Sequence, residues 1–161
     1  MPTERPPADH ADKSTVPLGF LLASAGQQVG SGFRDALAPH AVTPRQFAVL
    51  WSLSRDGSQN QQQLSDRLRI PPSRVVALVD QLEDRGWLER RSIPQDRRTR
   101  SVTLTPDGEH LITRLWGVAA AYQQHLLGDL TAAEQTVLRD LLHRITGHLS
   151  EGSADDPLRA W

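Results

Sequence analysis

Arg91, Arg97, Arg98 and Arg100 place four guanidinium groups within ten residues. A guanidinium keeps its charge at any physiological pH and presents a planar fork of donors that matches the oxygens of a phosphate or carboxylate. Such a cluster can bind an anion; the plainer alternative is a solvated basic face. The residues that follow say how the cluster is carried. Ser101-Val102-Thr103-Leu104-Thr105 alternates polar and apolar side chains, which is the period of a half-buried strand. Pro94-Gln95-Asp96 reads as the turn before it. The charge therefore sits at the tip of a hairpin, with Val102 and Leu104 able to anchor one face of it in a core.

The charge is also local. Residues 67–100 hold nine arginines against five acids, a surplus of four, whereas residues 106–161 hold four arginines against eight acids, a deficit of four. The whole chain is close to neutral, at −1. Such a balance fits a confined anionic footprint and argues against a protein that coats nucleic acid indiscriminately.

Other chemistries find little support. With no cysteine there is no disulfide, thiolate metal site or cysteine redox sensor. Of the six histidines, only His143 and His148 are close in sequence, and a spacing of five does not put both on one helix face at i and i+4. No Gly-rich phosphate loop, nucleophile elbow or His-Glu-x-x-His motif occurs. Glu83 and Asp84 are adjacent, and neighbours on a helix point in different directions, so they read as surface, not as an acid/base dyad. The expectation is a protein without cofactor or metal, and not an enzyme. No run of about 18 apolar residues is present, and the N-terminal stretch lacks the apolar core of a secretory signal, so a membrane is not expected and the cytoplasm is the default location.

The elements that must position the arginines are mostly helical. Leu18, Leu21, Leu22, Ala25, Val29, Phe33 and Leu37 recur at helical spacing and predict a helix over about 17–38, ended by Pro39. Gly26, Gly30 and Gly32 weaken that helix by roughly 1 kcal/mol each relative to Ala, and offer close helix contact in return. Thr43-Pro44-Arg45-Gln46 is an N-cap, a proline at the first helical position and a capping-box Gln. It opens a second helix through Phe47, Leu50, Trp51 and Leu53. Ser58 to Asn60 reads as a turn, followed by a short third helix over 61–68 with Leu64 and Leu68 in the core. Pro71-Pro72 leads a fourth helix to about residue 85, with an apolar stripe of Val75, Leu78, Val79 and Leu82 and a left-handed cap at Gly86. Two strands, 87–90 and 99–104, make the hairpin. Thr105-Pro106 caps a helix over 106–127, and the capping box Thr131 to Glu134 opens the last, over 131–149. Residues 1–16 and 150–161 read as a flexible arm and tail.

Helix, short helix, turn, helix, hairpin is the layout of a winged helix-turn-helix. Its fourth helix can enter a major groove, and its basic hairpin can lie along the backbone or reach the minor groove. The fold class expected is mainly α, with a small β-hairpin wing.

The same residues carry a resemblance. Gln63-Leu64-Ser65-Asp66-Arg67-Leu68, Ser73 to Glu83 (SRVVALVDQLE), Arg85-Gly86-Trp87-Leu88-Glu89-Arg90, Asp96-Arg97-Arg98 and Thr103-Leu104-Thr105-Pro106-Asp107-Gly108 resemble the MarR family of bacterial transcriptional regulators. The likeness covers residues 17–149 in element order and 44–108 in motif detail. It implies a homodimer, with 17–38 and 106–149 as a helical dimerisation region and 39–105 as the winged DNA-binding region. It also implies a pseudo-palindromic double-stranded operator, and a repressor that a small aromatic or anionic effector releases. A winged module used only for protein contact, or a regulator without a ligand, is the alternative.

The residue roles follow from these two readings together. Arg98 stands at the family's wing arginine and is expected in the minor groove, with Arg97 and Arg100 on phosphates. Asp96 is expected to orient Arg98 or to pair with Arg90, because a carboxylate near phosphates is repelled. Ser73 and Arg74 begin the fourth helix, where side chains and helix amides can reach phosphates and base edges; Val76, Ala77 and Gln81 lie opposite its apolar stripe. The family often has hydroxyl or basic residues where this chain has Val76 and Ala77, and a capping hydroxyl where it has Pro71. Gln61, Gln62 and Ser65 could bond phosphates. For an effector, the cleft that the resemblance implies would draw on Arg34, His40, Arg45, Phe47, Trp51 and Trp116.

Overall fold

The computed structural model describes residues 16–93 and 96–152, and the side chains among them other than those of 92–99 and 148–152. The expected arm and tail therefore fall almost wholly outside the described residues, as does the turn at Pro94-Gln95.

Helix α1 (Leu18–Leu37) runs into a single 3-10 turn (Ala38–His40) that contains Pro39. Helix α2 (Pro44–Asp56) starts on the expected capping box: Thr43 Oγ1 accepts from Gln46 N at 3.2 Å, and Gln46 Oε1 accepts from Thr43 N at 3.0 Å. Strand β1 (Gln59–Asn60), helix α3 (Gln61–Leu68), helix α4 (Pro72–Asp84), strands β2 (Leu88–Ile93) and β3 (Asp96–Leu104), and helices α5 (Pro106–Leu127) and α6 (Ala132–Gly152) follow. The fold is mainly α with a small antiparallel sheet in the order β1-β3-β2.

β1 corrects the sequence reading, in which Ser58 to Asn60 was a turn. Gln59 pairs with Val102 and Asn60 with Ser101. A two-residue strand has no periodicity to detect. It is held instead by the buried Gln59 side chain, whose Nε2 donates to Ser52 O at 3.0 Å and Ser52 Oγ at 3.1 Å. A second capping box, Asn60 with Gln63, then starts α3.

The core lies inside the winged module. Leu50, Leu53, Leu64, Val75, Val79, Leu82, Leu88, Val102, Leu111 and Leu115 are buried there. On α4, Val75, Val79 and Leu82 are fully buried, whereas Leu78 is only partly so. Val102 anchors the hairpin fully and Leu104 partly.

The junction from hairpin to α5 is tight. Thr105 caps α5 by accepting from Gly108 N at 3.1 Å, while its Oγ1 donates to Gly86 O at 2.6 Å and its N–H to Trp87 O at 3.1 Å. A Cβ on Gly108 would stand 2.1 Å from Trp87 O. The glycine in Leu-Thr-x-x-Gly is thus set by contact with another backbone and not by helix geometry. Gly86 itself takes φ 71°, the left-handed cap expected.

The outer helices are different. α1 meets α5 through Tyr122, whose hydroxyl donates to Val29 O at 2.8 Å and overlies Gly32, where a Cβ would come within 2.7 Å of it. This is one of the close contacts that the glycines of α1 offered. α6 buries none of its described side chains within the chain. Among the described residues, no helix is long and apolar enough to cross a membrane.

Candidate nucleic-acid interface

The exposed arc of α4 is bordered by the wing on one side and by the start of α2 on the other. Ser73, Arg74, Val76 and Ala77 are all exposed on it. Toward the wing, Val76 lines an open groove of about 620 Å³ together with Asn60, Gln61, Gln62, Arg90, Arg100 and Val102. The structure therefore brings together four separately read features: the start of α3, the α4 arc, the base of the wing, and an arginine on β3. Arg100 is exposed and pairs across the hairpin with Ser92 in the backbone ladder. The side chains of Asp96, Arg97 and Arg98 lie outside the described residues, so the minor-groove assignment of Arg98 stays an expectation.

Arg90 has partners on α4; the expected pairing with Asp96 lies outside the described side chains. Its guanidinium bonds to both Asp80 and Glu83 of α4, and its N–H donates to Glu83 Oε1 at 3.2 Å. Burial works against the Arg90 charge, but the bond to Asp80 and the fields of Glu83 and Asp80 outweigh it and raise its pKa above the ordinary arginine value. These bonds tie β2 to α4. The sequence pattern hid these partners, because they lie seven and ten residues upstream on another element.

Three further expected contact groups have partners within the chain. Ser65 is buried, and its hydroxyl donates to Ile70 O at 2.7 Å while Ile70 N bonds to Ser65 O at 3.2 Å. It closes the turn between α3 and α4, where Arg69 takes φ 51°. Gln81 points toward α2: its Oε1 accepts from Gln46 Nε2 at 3.0 Å. The amides at the start of α4 are fewer than expected. Pro71 and Pro72 have no N–H, and those of Arg74 and Val75 bond to Pro71 O. Gln62 remains exposed and bonds within its own helix to Asp66 Oδ1 at 2.8 Å.

The proposed effector residues separate into two groups. Phe47 meets Trp116 (ring centroids 6.3 Å apart) and Phe33 (5.3 Å), and Phe33 meets Tyr122 (5.7 Å). This aromatic cluster joins α1, α2 and α5. Phe33 and Tyr122 were legible as apolar helix positions, but nothing in one dimension linked them to Phe47. Trp51 is instead partly buried against the core, with the Arg55 guanidinium over its ring at 5.1 Å. Arg34 lies in the last turn of α1, His40 in the 3-10 turn, and Arg45 in the first turn of α2. Among the described residues, no group of three or more His, Asp or Glu side chains could hold a metal ion.

A three-stranded sheet with a basic edge, packed beside a helix-turn-helix whose second helix has one exposed arc, defines a winged-helix DNA-binding module. Residues 42–99 match the MarR family model. The multiple antibiotic resistance protein MarR of Salmonella typhimurium is 31% identical over 131 residues, covering 81% of this chain and 91% of that protein. Among solved structures, a cysteine-to-serine variant of MarR from E. coli, complexed with operator DNA, matches with a TM-score of 0.74 at 28% identity, covering 81% of this chain and 94% of that one. BpsR of Bordetella bronchiseptica, solved to explain regulation of its DNA binding by 6-hydroxynicotinic acid, matches with a TM-score of 0.72 at 30% identity, covering 80% and 97%. The chain belongs to the MarR family: it is a DNA-binding transcriptional regulator and not an enzyme.

Proposed function

We propose that this regulator acts in the cytoplasm as a homodimer that reads a pseudo-palindromic duplex and represses by occluding a promoter. Within each subunit, α4 lies in the major groove. Ser73, Arg74, Val76 and Ala77 face the bases and Gln62, Arg97 and Arg100 face phosphates, while Arg98 enters the minor groove. The observation that carries this reading is the single groove shared by the start of α3, Val76 of α4 and Arg100 of the wing. Arg74 suits a guanine edge, and Val76 and Ala77 suit thymine methyls. The dimer rests on the apolar side chains left exposed on α1, α5 and α6, Phe20 (68%) and Val137 (58%) among them. Such a surface calls for a partner, and the matching surface of a second copy would close it. An effector of aromatic-acid chemistry would enter at Phe33, Phe47, Trp116 and Tyr122, as the likeness to BpsR suggests.

The test is duplex binding at several salt concentrations, after selecting a duplex from a randomised pool. Arg100→Ala should lower affinity for all duplexes alike and reduce the salt slope by about one. Arg74→Ala should relax the preference at one base pair, at a cost of about 1–3 kcal/mol. A parent protein that selects no duplex would end the reading.

A further inference from the structure

α4 is fastened on both flanks. Toward the wing, Arg90 bonds to Asp80 and Glu83. Toward α2, two side chains one helical turn apart reach α2 itself and the segment that connects α1 to it. Gln81 Oε1 accepts from Gln46 Nε2 at 3.0 Å, and Arg85 Nη1 donates to Ala41 O at 2.5 Å. This second fastening does more than fill space. Gln46 is 7% exposed, and its one amide both caps α2 through Thr43 N and grips α4. Ala41 takes φ 53°, a left-handed conformation unfavourable for a residue with a Cβ. That backbone holds its carbonyl where the Arg85 guanidinium bonds it. The guanidinium is itself fixed in place over the Trp87 ring at 4.7 Å.

The connection that Arg85 grips, residues 38–43, follows the buried Leu37 and contains the buried Val42. It is the covalent link from α1 into the module. The next residue of α2, Phe47, lies against Phe33 of α1 and Trp116 of α5. α4 therefore holds the entry from α1 at two points, Ala41 O in the connection and Gln46 at the start of α2, so that a movement of α1 relative to the module is felt at α4.

We propose that Gln46 and Arg85 are positioning residues for base reading: together with Gln81 and Ala41 O they form a latch that makes the tilt of α4 follow the α1–α2 connection. The inference rests on the reading of α4 as the element in the major groove. Neither latch residue touches nucleic acid. Non-specific binding is set by counterion release from phosphates and tolerates a small tilt. Base contacts need the helix placed to a fraction of a hydrogen-bond length. Loss of the latch should therefore cost discrimination, not general affinity.

The experiment compares the full-length protein with Arg85→Ala, Arg85→Lys and Gln46→Leu. Each is titrated with the duplex that the parent selects and with an unselected duplex of equal length, across salt concentrations, alongside thermal unfolding. For Arg85→Ala, affinity for the selected duplex should fall about tenfold, the loss of one charge-assisted hydrogen bond. Affinity for the unselected duplex and the salt slope should not change. Arg85→Lys should recover part of the preference, and Gln46→Leu should shift it in the same direction as Arg85→Ala. If Gln46→Leu fails to fold because α2 loses its cap, the Arg85 pair still decides. An unchanged preference in folded Arg85→Ala overturns the latch and leaves the regulator intact. An equal loss on both duplexes, with the salt slope lower by about one, overturns it in favour of a direct phosphate contact. A parent that selects no duplex removes the reading on which the latch rests, and the latch with it.

Discussion

The winged module and the outer helices solve the burial problem in opposite ways. The module closes on itself: α2, α3, α4, the sheet and the first half of α5 bury Leu50, Leu64, Val75, Leu82, Leu88, Val102 and Leu115 almost completely. Helix α6 has 21 residues and leaves Val137, Leu141 and Leu142 exposed within the chain, and Leu18 and Phe20 of α1 are each 68% exposed. An isolated helix gains little in water without a packed face, so the proposed second copy would supply what α6 and the start of α1 lack within the chain. One region buries its apolar face on itself, while the other leaves much of it open.

The contrast predicts two kinds of damage. Gly108→Val should be the most severe change, since its side chain would run into Trp87 O. Overpacking against backbone should cost about 3 kcal/mol, and urea unfolding should show that loss unchanged when the protein is diluted. Val137→Asp should do less to the chain and more to the assembly. An unpaired carboxylate on the face proposed to meet a second copy should raise the dimer dissociation constant roughly thirtyfold, about 2 kcal/mol. Sedimentation at several concentrations reads this directly, and the apparent stability should now depend on dilution. If Val137→Asp proves as silent as an ordinary surface change, α6 has no partner and the contrast fails.

A smaller effect sharpens the comparison at the start of α6. Glu134 accepts from Thr131 Oγ1 at 2.7 Å and Thr131 N at 2.8 Å, and these bonds hold its carboxyl below the ordinary value of 4.5. A carboxyl depressed by folding contributes stability that is present above its unfolded pKa and lost as pH falls through the folded one. Amide protection over 131–136 should therefore weaken below pH 4.5 in the parent. It should stay level in Glu134→Gln, which keeps the cap without the charge. The core of the winged module should show no such dependence at that site.

Much of the fold was legible because its signals are local. Thr43-Pro44-Arg45-Gln46 and Thr131 to Glu134 are capping boxes whose partners lie three residues apart, and both form as read. The α4 stripe at Val75, Val79 and Leu82 needs only a helical period to be found. The interface was legible as a set of residue types and less so as a set of roles. Ser65 looks like any helix hydroxyl until the left-handed Arg69 turns Ile70 O back onto it. Gln81 sits on the polar arc of α4, but Gln46, 35 residues away, takes its oxygen.

The amino-acid order alone settled where most helices begin and that a cluster of arginines sits on a hairpin, because caps, periodicity and charge act over three or four positions along the chain. Only the folded arrangement decided that Arg90 clasps Asp80 and Glu83, that Gly108 must admit Trp87 O, and that Phe47 meets Trp116. Those contacts join residues far apart in sequence, and their strength depends on distance and burial, which a linear pattern does not record.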